Sequence, residues 1–204
     1  EFTYDLRSDL GYYASGGELT DSRNRLTSIE GEYMPSTKEA NFYGRVHLNS
    51  RSEGDTLDIY TDTLYYNTFT HVAELYSPSR VVNARATIYT REGEYNTETN
   101  ISRLYDRSMV VGTEGGQQLT ADTIFYDKAA GYGEGFGAVE LTDTANCSIV
   151  LGDYGYYNQL QDSAFITGHA EMRQYNQGDT LYMHGRCIES FRDIRITEMP
   201  EDTA

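Results

Sequence analysis

Residues 62–67 read Asp-Thr-Leu-Tyr-Tyr-Asn, residues 122–127 read Asp-Thr-Ile-Phe-Tyr-Asp, and residues 153–158 read Asp-Tyr-Gly-Tyr-Tyr-Asn. Looser copies of this motif end at Tyr13, Tyr33 and Tyr95. From the second copy onward, the final tyrosines lie 29 to 33 residues apart, at Tyr33, Tyr66, Tyr95, Tyr126 and Tyr157. Such a regular recurrence is typical of repeat proteins, in which each unit buries its apolar face against its neighbours.

A second motif, interleaved with the first, has a small or apolar residue, a polar residue and then Leu or Met. Its copies recur at intervals of 27 to 37 residues and begin at Gly17, Val46, Ala73, Ser102, Val139 and Ala170. Two independent motifs thus share a period near 31 residues. This shared period predicts a unit of that length with two strands and two turns.

The segments between turns are short and rich in Thr, Tyr, Val and Ile, as in Leu57–Tyr60 and Thr87–Tyr89. Apolar runs with helical spacing are nearly missing, so the pattern predicts an all-β fold. Because side chains alternate along a strand, the outer positions of the second motif should face inward and the middle position outward. The expected inward pairs form one apolar stripe: Val46/Leu48, Ala73/Leu75, Val139/Leu141 and Ala170/Met172.

The final tyrosines should form a ladder across the stacked units, and a structural role is favoured over ligand binding. Apolar residues occur at both parities of the motif, so the sequence leaves open whether these tyrosines face inward or outward. The glycines between Gly131 and Gly137 predict a bulge or a close backbone approach. Cys147 and Cys187 occupy different places in the repeat, which argues against a disulfide.

We expect one domain over residues 1–197 and an acidic, unstructured tail over 198–204. The segment Phe191–Ile196 is predicted to form one more strand. No apolar run approaches the length of a membrane span, and no signal-peptide pattern begins the chain, so any signal peptide has already been removed.

The net charge of the chain argues against some classes of function. The chain of 204 residues has 16 Lys and Arg against 32 Asp and Glu, a formal net charge of −16. This balance argues against binding to nucleic acid and to anionic membrane surfaces. No metal-binding histidine pair, nucleophile motif or phosphate loop is present. The recurrent Asp62, Asp122 and Asp153 favour structural turns, with calcium binding or glycosidase chemistry as alternatives.

The two motifs together resemble the OstA/LptA family of lipopolysaccharide-transport proteins, in particular its OstA-like members from Bacteroidetes-type bacteria. The resemblance covers roughly residues 9–188 and is carried by the D-x-[LI]-x-Y-[ND] segments at 62–67 and 122–127 and the related 153–158. The strands at 137–141 and 168–172 also carry it. It implies a twisted β-jellyroll of two stacked sheets, folded like a taco shell.

The resemblance also implies a periplasmic, non-enzymatic protein of a Gram-negative bacterium that needs no cofactor and acts in lipopolysaccharide transport or outer-membrane assembly. Acyl chains would lie between the sheets, and domains would join edge to edge with copies or partners. The candidate lipid-facing wall is then formed by Val46, Leu48, Ala73, Leu75, Val139, Leu141, Ala170 and Met172.

Two other functions stay open at this point. A structural or adhesive surface β-solenoid would have a solid core, an aromatic ladder and no ligand. A carbohydrate-active parallel β-helix would gather several acids, such as Asp58 and Asp62, in one cleft; a 31-residue unit fits that class poorly.

Overall fold

The computed structural model describes residues 2–20, 22–52, 55–113, 116–158, 160–161, 163–176 and 178–191. The predicted tail at 198–204 and residues 192–196 of the predicted last strand lie outside this range. Within it, every strand pairing is antiparallel. The all-β prediction is confirmed, and the antiparallel pairing is not that of a parallel β-helix.

Six long strands alternate with groups of short ones along the chain. The first nine strands are β1 (Phe2–Asp5), β2 (Leu10–Tyr13), β3 (Gly17–Thr20), β4 (Asn24–Ser28), β5 (Glu30–Met34), β6 (Glu39–Ser52), β7 (Asp55–Asn67), β8 (Val72–Leu75) and β9 (Ser79–Val82). The next six are β10 (Ala86–Thr90), β11 (Glu92–Asn96), β12 (Ile101–Tyr105), β13 (Ser108–Gly112), β14 (Gln117–Ala121) and β15 (Thr123–Asp127). The last four are β16 (Tyr132–Asp143), β17 (Ser148–Asn158), β18 (Ser163–Asn176) and β19 (Asp179–Phe191).

The strands form two layers that meet along one crease. Sheet 1 runs in the order β1, β2, β5, β6 (39–43), β7 (63–67), β8, β11, β12, β15, β16 (132–136), β17 (154–158), β18 (163–167) and β19 (187–191). Sheet 2 contains β3, β4, β9, β10, β13, β14 and the other halves of the six long strands. Each repeat therefore contributes two strand segments to each sheet, whereas the sequence predicted two strands in total. The two-layer β-jellyroll expected from the family resemblance agrees with this architecture.

The crease is made where a long strand passes from sheet 1 to sheet 2. In β6, the register shifts between Tyr43 and Val46, and the two residues between them, Gly44 and Arg45, have φ angles of 73° and 48°. The same pair of left-handed residues occurs at 137–138 in β16 and at 168–169 in β18. Glycine leads each pair because it reaches positive φ without a steric penalty. The bulge predicted in the segment from Gly131 to Gly137 is thus one of three such corners within the described long strands; a fourth left-handed pair, Asp106 and Arg107, joins the short strands β12 and β13.

The aspartates at the start of the tyrosine motif lie against these corners. Asp62 Oδ1 accepts a hydrogen bond from the Arg45 backbone N–H at 3.4 Å, and Asp153 Oδ2 lies 2.8 Å from His169 Nδ1. A Cβ on Gly137 would lie 2.6 Å from Asp122 Oδ2. These contacts support a structural role for the recurrent aspartates.

The residue that ends the tyrosine motif closes the following hairpin. Asn67 Oδ1 accepts hydrogen bonds from the backbone N–H groups of Phe69 and Thr70, both at 3.0 Å. Asn96, Asp127 and Asn158 accept equivalent bonds in their own hairpins. These are Asx turns, which explain why the motif ends in Asn or Asp.

Candidate functional site

The space between the two sheets is lined on sheet 2 by one continuous line of apolar side chains, which we call the aliphatic row. Its members are consecutive cross-strand partners on twelve strands: Leu19, Leu26, Leu48, Ile59, Val81, Ile88, Val110, Leu119, Leu141, Val150, Met172 and Met183. An uninterrupted line of this kind gives the interior an apolar wall over the whole length of sheet 2.

Burial changes sharply along the aliphatic row. From Leu26 to Ile88, each side chain is at most 1% exposed. From Val110 to Met172, the members are only half-buried, and Met183 is 49% exposed. Beside the aliphatic row, the interior is therefore closely packed from β4 to β10 and more accessible to solvent from β13 to β19, which we call the open half.

Sheet 1 faces the aliphatic row with a line of tyrosines, the tyrosine row. Tyr33, Tyr66, Tyr95, Tyr126 and Tyr157 alternate in register with small residues, which are Ala40, Ala73, Ser102, Gly133 and Ala164. The predicted ladder is confirmed, and its tyrosines face inward. Since strands lie about 4.8 Å apart, the tyrosines are roughly 9.6 Å apart, and the small residue between them makes room for each ring.

The tyrosine row is also more buried in the first half. Tyr66 and Tyr95 are buried, whereas Tyr126 and Tyr157 are half-buried. The Tyr95 hydroxyl donates to Asn100 Oδ1 at 3.0 Å, and burial raises the pKa of this phenol. Both walls of the interior thus become accessible over the same strands, β13 to β19.

Beside the crease, the interior is polar and satisfied by its own hydrogen bonds. The Ser79 hydroxyl donates to Thr61 Oγ1 at 2.8 Å, and the Ser108 hydroxyl donates to Thr90 Oγ1 at 2.7 Å. All four side chains are buried. This edge is closed, so any apolar ligand would have to enter from the hairpin side or from an end.

All eight residues of the predicted wall face the interior, but they do not form one stripe. Ala73 and Leu75 lie in sheet 1, whereas Val46, Leu48, Val139, Leu141, Ala170 and Met172 lie in sheet 2. The single stripe was therefore wrong, because strands of both sheets carry the same small–polar–Leu pattern. Six of the eight are buried in the core, and only Leu141 and Met172 are half-buried.

The sequence did not point to the other accessible members of the aliphatic row. It missed four of them: Val110, Leu119, Val150 and Met183. Val110 and Val150 lie in continuous apolar runs, 109–111 and 149–151, where the alternation of apolar and polar residues is hidden. Their cross-strand register with Leu141 and Met172 is the signal that identifies them.

A cavity of about 260 Å³ lies between the sheets at the β1 end. The Tyr13 ring fills the space beside two inward glycines, since a Cβ on Gly17 or Gly31 would come within 2.5 Å of it. The hydroxyls of Tyr13 and Ser28 hydrogen-bond at 2.6 Å, which anchors the ring. The cavity also meets Leu19 and Tyr33, the first members of the aliphatic and tyrosine rows.

Two further sequence expectations concern ligands and cross-links. Among the residues that the structure describes, no three His, Cys, Asp or Glu side chains come together as a metal-binding group, and no helix could cross a membrane. Cys147 and Cys187 are both exposed and unbonded to each other.

Comparison with known proteins identifies the family of the chain. The model of the family described as OstA-like protein matches residues 1–53 and 50–131, which together are well over half of the 204 residues. A search of curated proteins gives no match. One similar solved structure is that of LptH from Pseudomonas aeruginosa, the LptA homologous periplasmic component of its lipopolysaccharide transport device.

The identity to LptH is 14%, with a TM-score of 0.48, over 52% of this chain and 77% of that one. The family assignment depends on the match to the family model and not on the similarity to LptH. From the match over residues 1–131 we conclude that the chain belongs to the OstA-like protein family.

Proposed function

We propose that this chain is a periplasmic, non-enzymatic component of lipopolysaccharide transport or outer-membrane assembly, and that it holds lipid acyl chains in the open half of its interior. Membership of the OstA-like family supports the general role. The half-buried part of the aliphatic row, Val110 to Met172, is the observation that supports the lipid contact.

Apolar burial supplies the driving force. Fully burying a Val, Leu or Met side chain contributes about 1.5–3 kcal/mol, and at most about a third of each of these residues is still exposed, so covering that part contributes roughly 0.5 kcal/mol each. The five half-buried members from Val110 to Met172 would together contribute roughly 2–3 kcal/mol before the cost of ordering the chain. This contact involves no charge, so the acidity of the chain does not oppose it.

The predicted wall divides into two roles under this proposal. Leu141 and Met172 contact lipid directly. Val46, Leu48, Ala73, Leu75, Val139 and Ala170 form the packed base that holds the two sheets at a fixed separation. The cavity beside Tyr13, at about 260 Å³, falls below the roughly 300–1,000 Å³ of ordinary ligand pockets, so it would admit part of one acyl chain.

The ends of the two sheets support assembly. Among the described strands, β3 pairs only with β4 at one end of sheet 2, and β19 pairs only with β18 at the other. A strand with one unpaired edge can accept a strand from a copy or a partner. We include edge-to-edge assembly in the proposed function on this ground.

Site-specific photo-crosslinking tests the lipid contact. A benzophenone amino acid at Leu141 would face the interior, whereas the same group at the next residue, Thr142, would face outward with similar exposure. We expect ultraviolet light to attach added lipopolysaccharide at position 141 and not at 142. Equal labelling at both positions, or none at 141, would contradict the proposal.

Native mass spectrometry gives a second test of the lipid contact. The variant Leu141→Asp places a charge in the open half, and we expect the folded protein to lose its lipopolysaccharide adduct. Leu75→Asp is unsuitable as a comparison because Leu75 is fully buried, and an unpaired buried carboxylate would unfold the core. Thr142→Asp serves as the matched control.

A structural role without ligand is the second candidate function, and the solid first half of the interior favours it. If this candidate is correct, the Leu141 and Thr142 probes will give no lipid adduct, and Leu141→Asp will change only stability.

A further inference from the structure

The outer face of sheet 2 carries a groove beside the crease, with a volume of about 980 Å³. Its floor is one line of cross-strand partners, which we call the outer row: His47, Tyr60, Arg80, Tyr89, Met109 and Thr120. These side chains point away from the interior, so the groove is separate from the proposed lipid contact.

Two rings and a guanidinium stack against one another along the floor. The rings of His47 and Tyr60 stack with centroids 4.4 Å apart and planes 8° apart, and the Arg80 guanidinium carbon lies 4.6 Å from the Tyr60 ring centre. Asp58 fixes the His47 ring, since its Oδ1 lies 2.7 Å from Nε2. Tyr89 is 43% exposed and, within the described chain, makes no ring contact.

The groove is also where cations collect in an acidic protein. Arg45, Arg80, Arg91 and Arg107 line it, a quarter of the 16 Lys and Arg, together with the acids Asp62 and Asp106. Arg107 is already engaged, because its Nη1 donates to the Ala138 carbonyl at 2.6 Å and pairs with Asp122 Oδ1 at 3.4 Å. In the part of the chain that the structure describes, the Arg45 and Arg91 guanidiniums form no ion pair.

The basic and aromatic character ends with this groove. Beyond Thr120, the outer row continues through Glu140, Leu151, Glu171 and His184. An anionic ligand is therefore favoured between β6 and β14 and repelled by the acids beyond.

We propose that this groove binds an anionic saccharide, a short sugar chain that carries carboxylate or phosphate groups. Guanidinium groups pair with such anions through two parallel hydrogen bonds. The exposed Tyr89 ring offers an apolar face to the C–H face of a sugar ring. Five strand spacings separate His47 from Thr120, so the floor is roughly 24 Å long and has room for several sugar units.

A nucleic acid fits these observations less well. It would extend past the groove over the surface of a chain with net charge −16, and its phosphates would be repelled there. A short oligosaccharide interacts only with the local charge of the groove.

NMR titration of the full chain with tetragalacturonate tests the proposal. We expect amide shifts centred on the outer row, weaker at high salt. Neutral maltotetraose, inorganic phosphate and a short single-stranded DNA are the comparison ligands. Equal binding of maltotetraose or of phosphate, tighter binding of the DNA, or no shift in the groove with tetragalacturonate would overturn it.

Substitutions inside and outside the groove test which side chains contact the saccharide. The double variant Arg80→Gln and Arg91→Gln should weaken tetragalacturonate binding about tenfold, the effect of removing two exposed charge contacts. Arg103 is a matched control, because its guanidinium lies 5.7 Å from the Phe125 ring centre on the outer face of sheet 1. Arg103→Gln should leave the affinity within about twofold. Tyr89→Ala, at an exposed position, tests the stacking contact; unchanged affinity in both groove variants would contradict the assignment.

Discussion

Truncating one leucine in each half of the interior compares how tightly the two halves are packed. Leu75 in β8 is fully buried, with Leu64 and Gly93 as its cross-strand partners. Leu141 in β16 holds the same motif position but is half-buried between Leu119 and Val150. Leu→Ala at both positions deletes the same atoms from two environments.

The expected losses follow from burial. Leu75→Ala removes a fully buried side chain and leaves a cavity, which costs about 3 kcal/mol within the usual range of roughly 2–5 kcal/mol. Leu141→Ala removes a side chain of which up to about a third is already in contact with water, so we expect about two thirds of that loss, roughly 2 kcal/mol. Domains of this size unfold with about 5–15 kcal/mol, so both variants should stay folded.

Urea unfolding at neutral pH, followed by tyrosine fluorescence, gives both values from midpoints that share one slope. Equal losses for the two variants would show that the second half of the interior is as closed as the first. That result would remove the main structural support for lipid contact.

Two further predictions concern the tyrosine row. The Ser102 hydroxyl is buried with no hydrogen-bond partner among the described residues, so Ser102→Ala should raise the unfolding free energy by about 1 kcal/mol; Ala73→Ser, at the equivalent position, should lower it by a similar amount. Urea midpoints check both, and a loss for Ser102→Ala would contradict the reasoning. Burial raises the pKa of Tyr95, so the folded state keeps the phenol proton longer than the unfolded chain does, and this contribution to stability is lost as the pH rises above about 10. Tyr95→Phe should flatten the fall in urea midpoint between about pH 9 and 11, and an unchanged slope would refute it.

Much of the fold could be predicted from local patterns. The spacing of Tyr66, Tyr95 and Tyr126 predicted stacked units, because identical units bury their apolar faces only against one another. The parity of the second motif predicted that Val46 and Leu48 face inward, because side chains alternate along any strand.

The site could be predicted only in part. Parity holds equally for a strand of either sheet, so it could not separate Ala73 and Leu75 in sheet 1 from Val139 and Leu141 in sheet 2. That assignment depends on where the corners at Gly44 and Gly137 fall relative to each motif, and on which neighbours each half-strand then finds.

The sequence by itself determined that this protein is a repetitive β structure with an apolar, tyrosine-lined interior, since periodicity and alternation are properties of consecutive residues. Only the tertiary structure decided which interior side chains are fully covered. It left Leu141 accessible and Leu75 buried, although both end the same motif. The burial of a side chain is the combined result of contacts between strands that are distant in sequence. For the same reason, Arg45, Arg80, Arg91 and Arg107, spread over more than sixty residues of an acidic chain, meet in one groove.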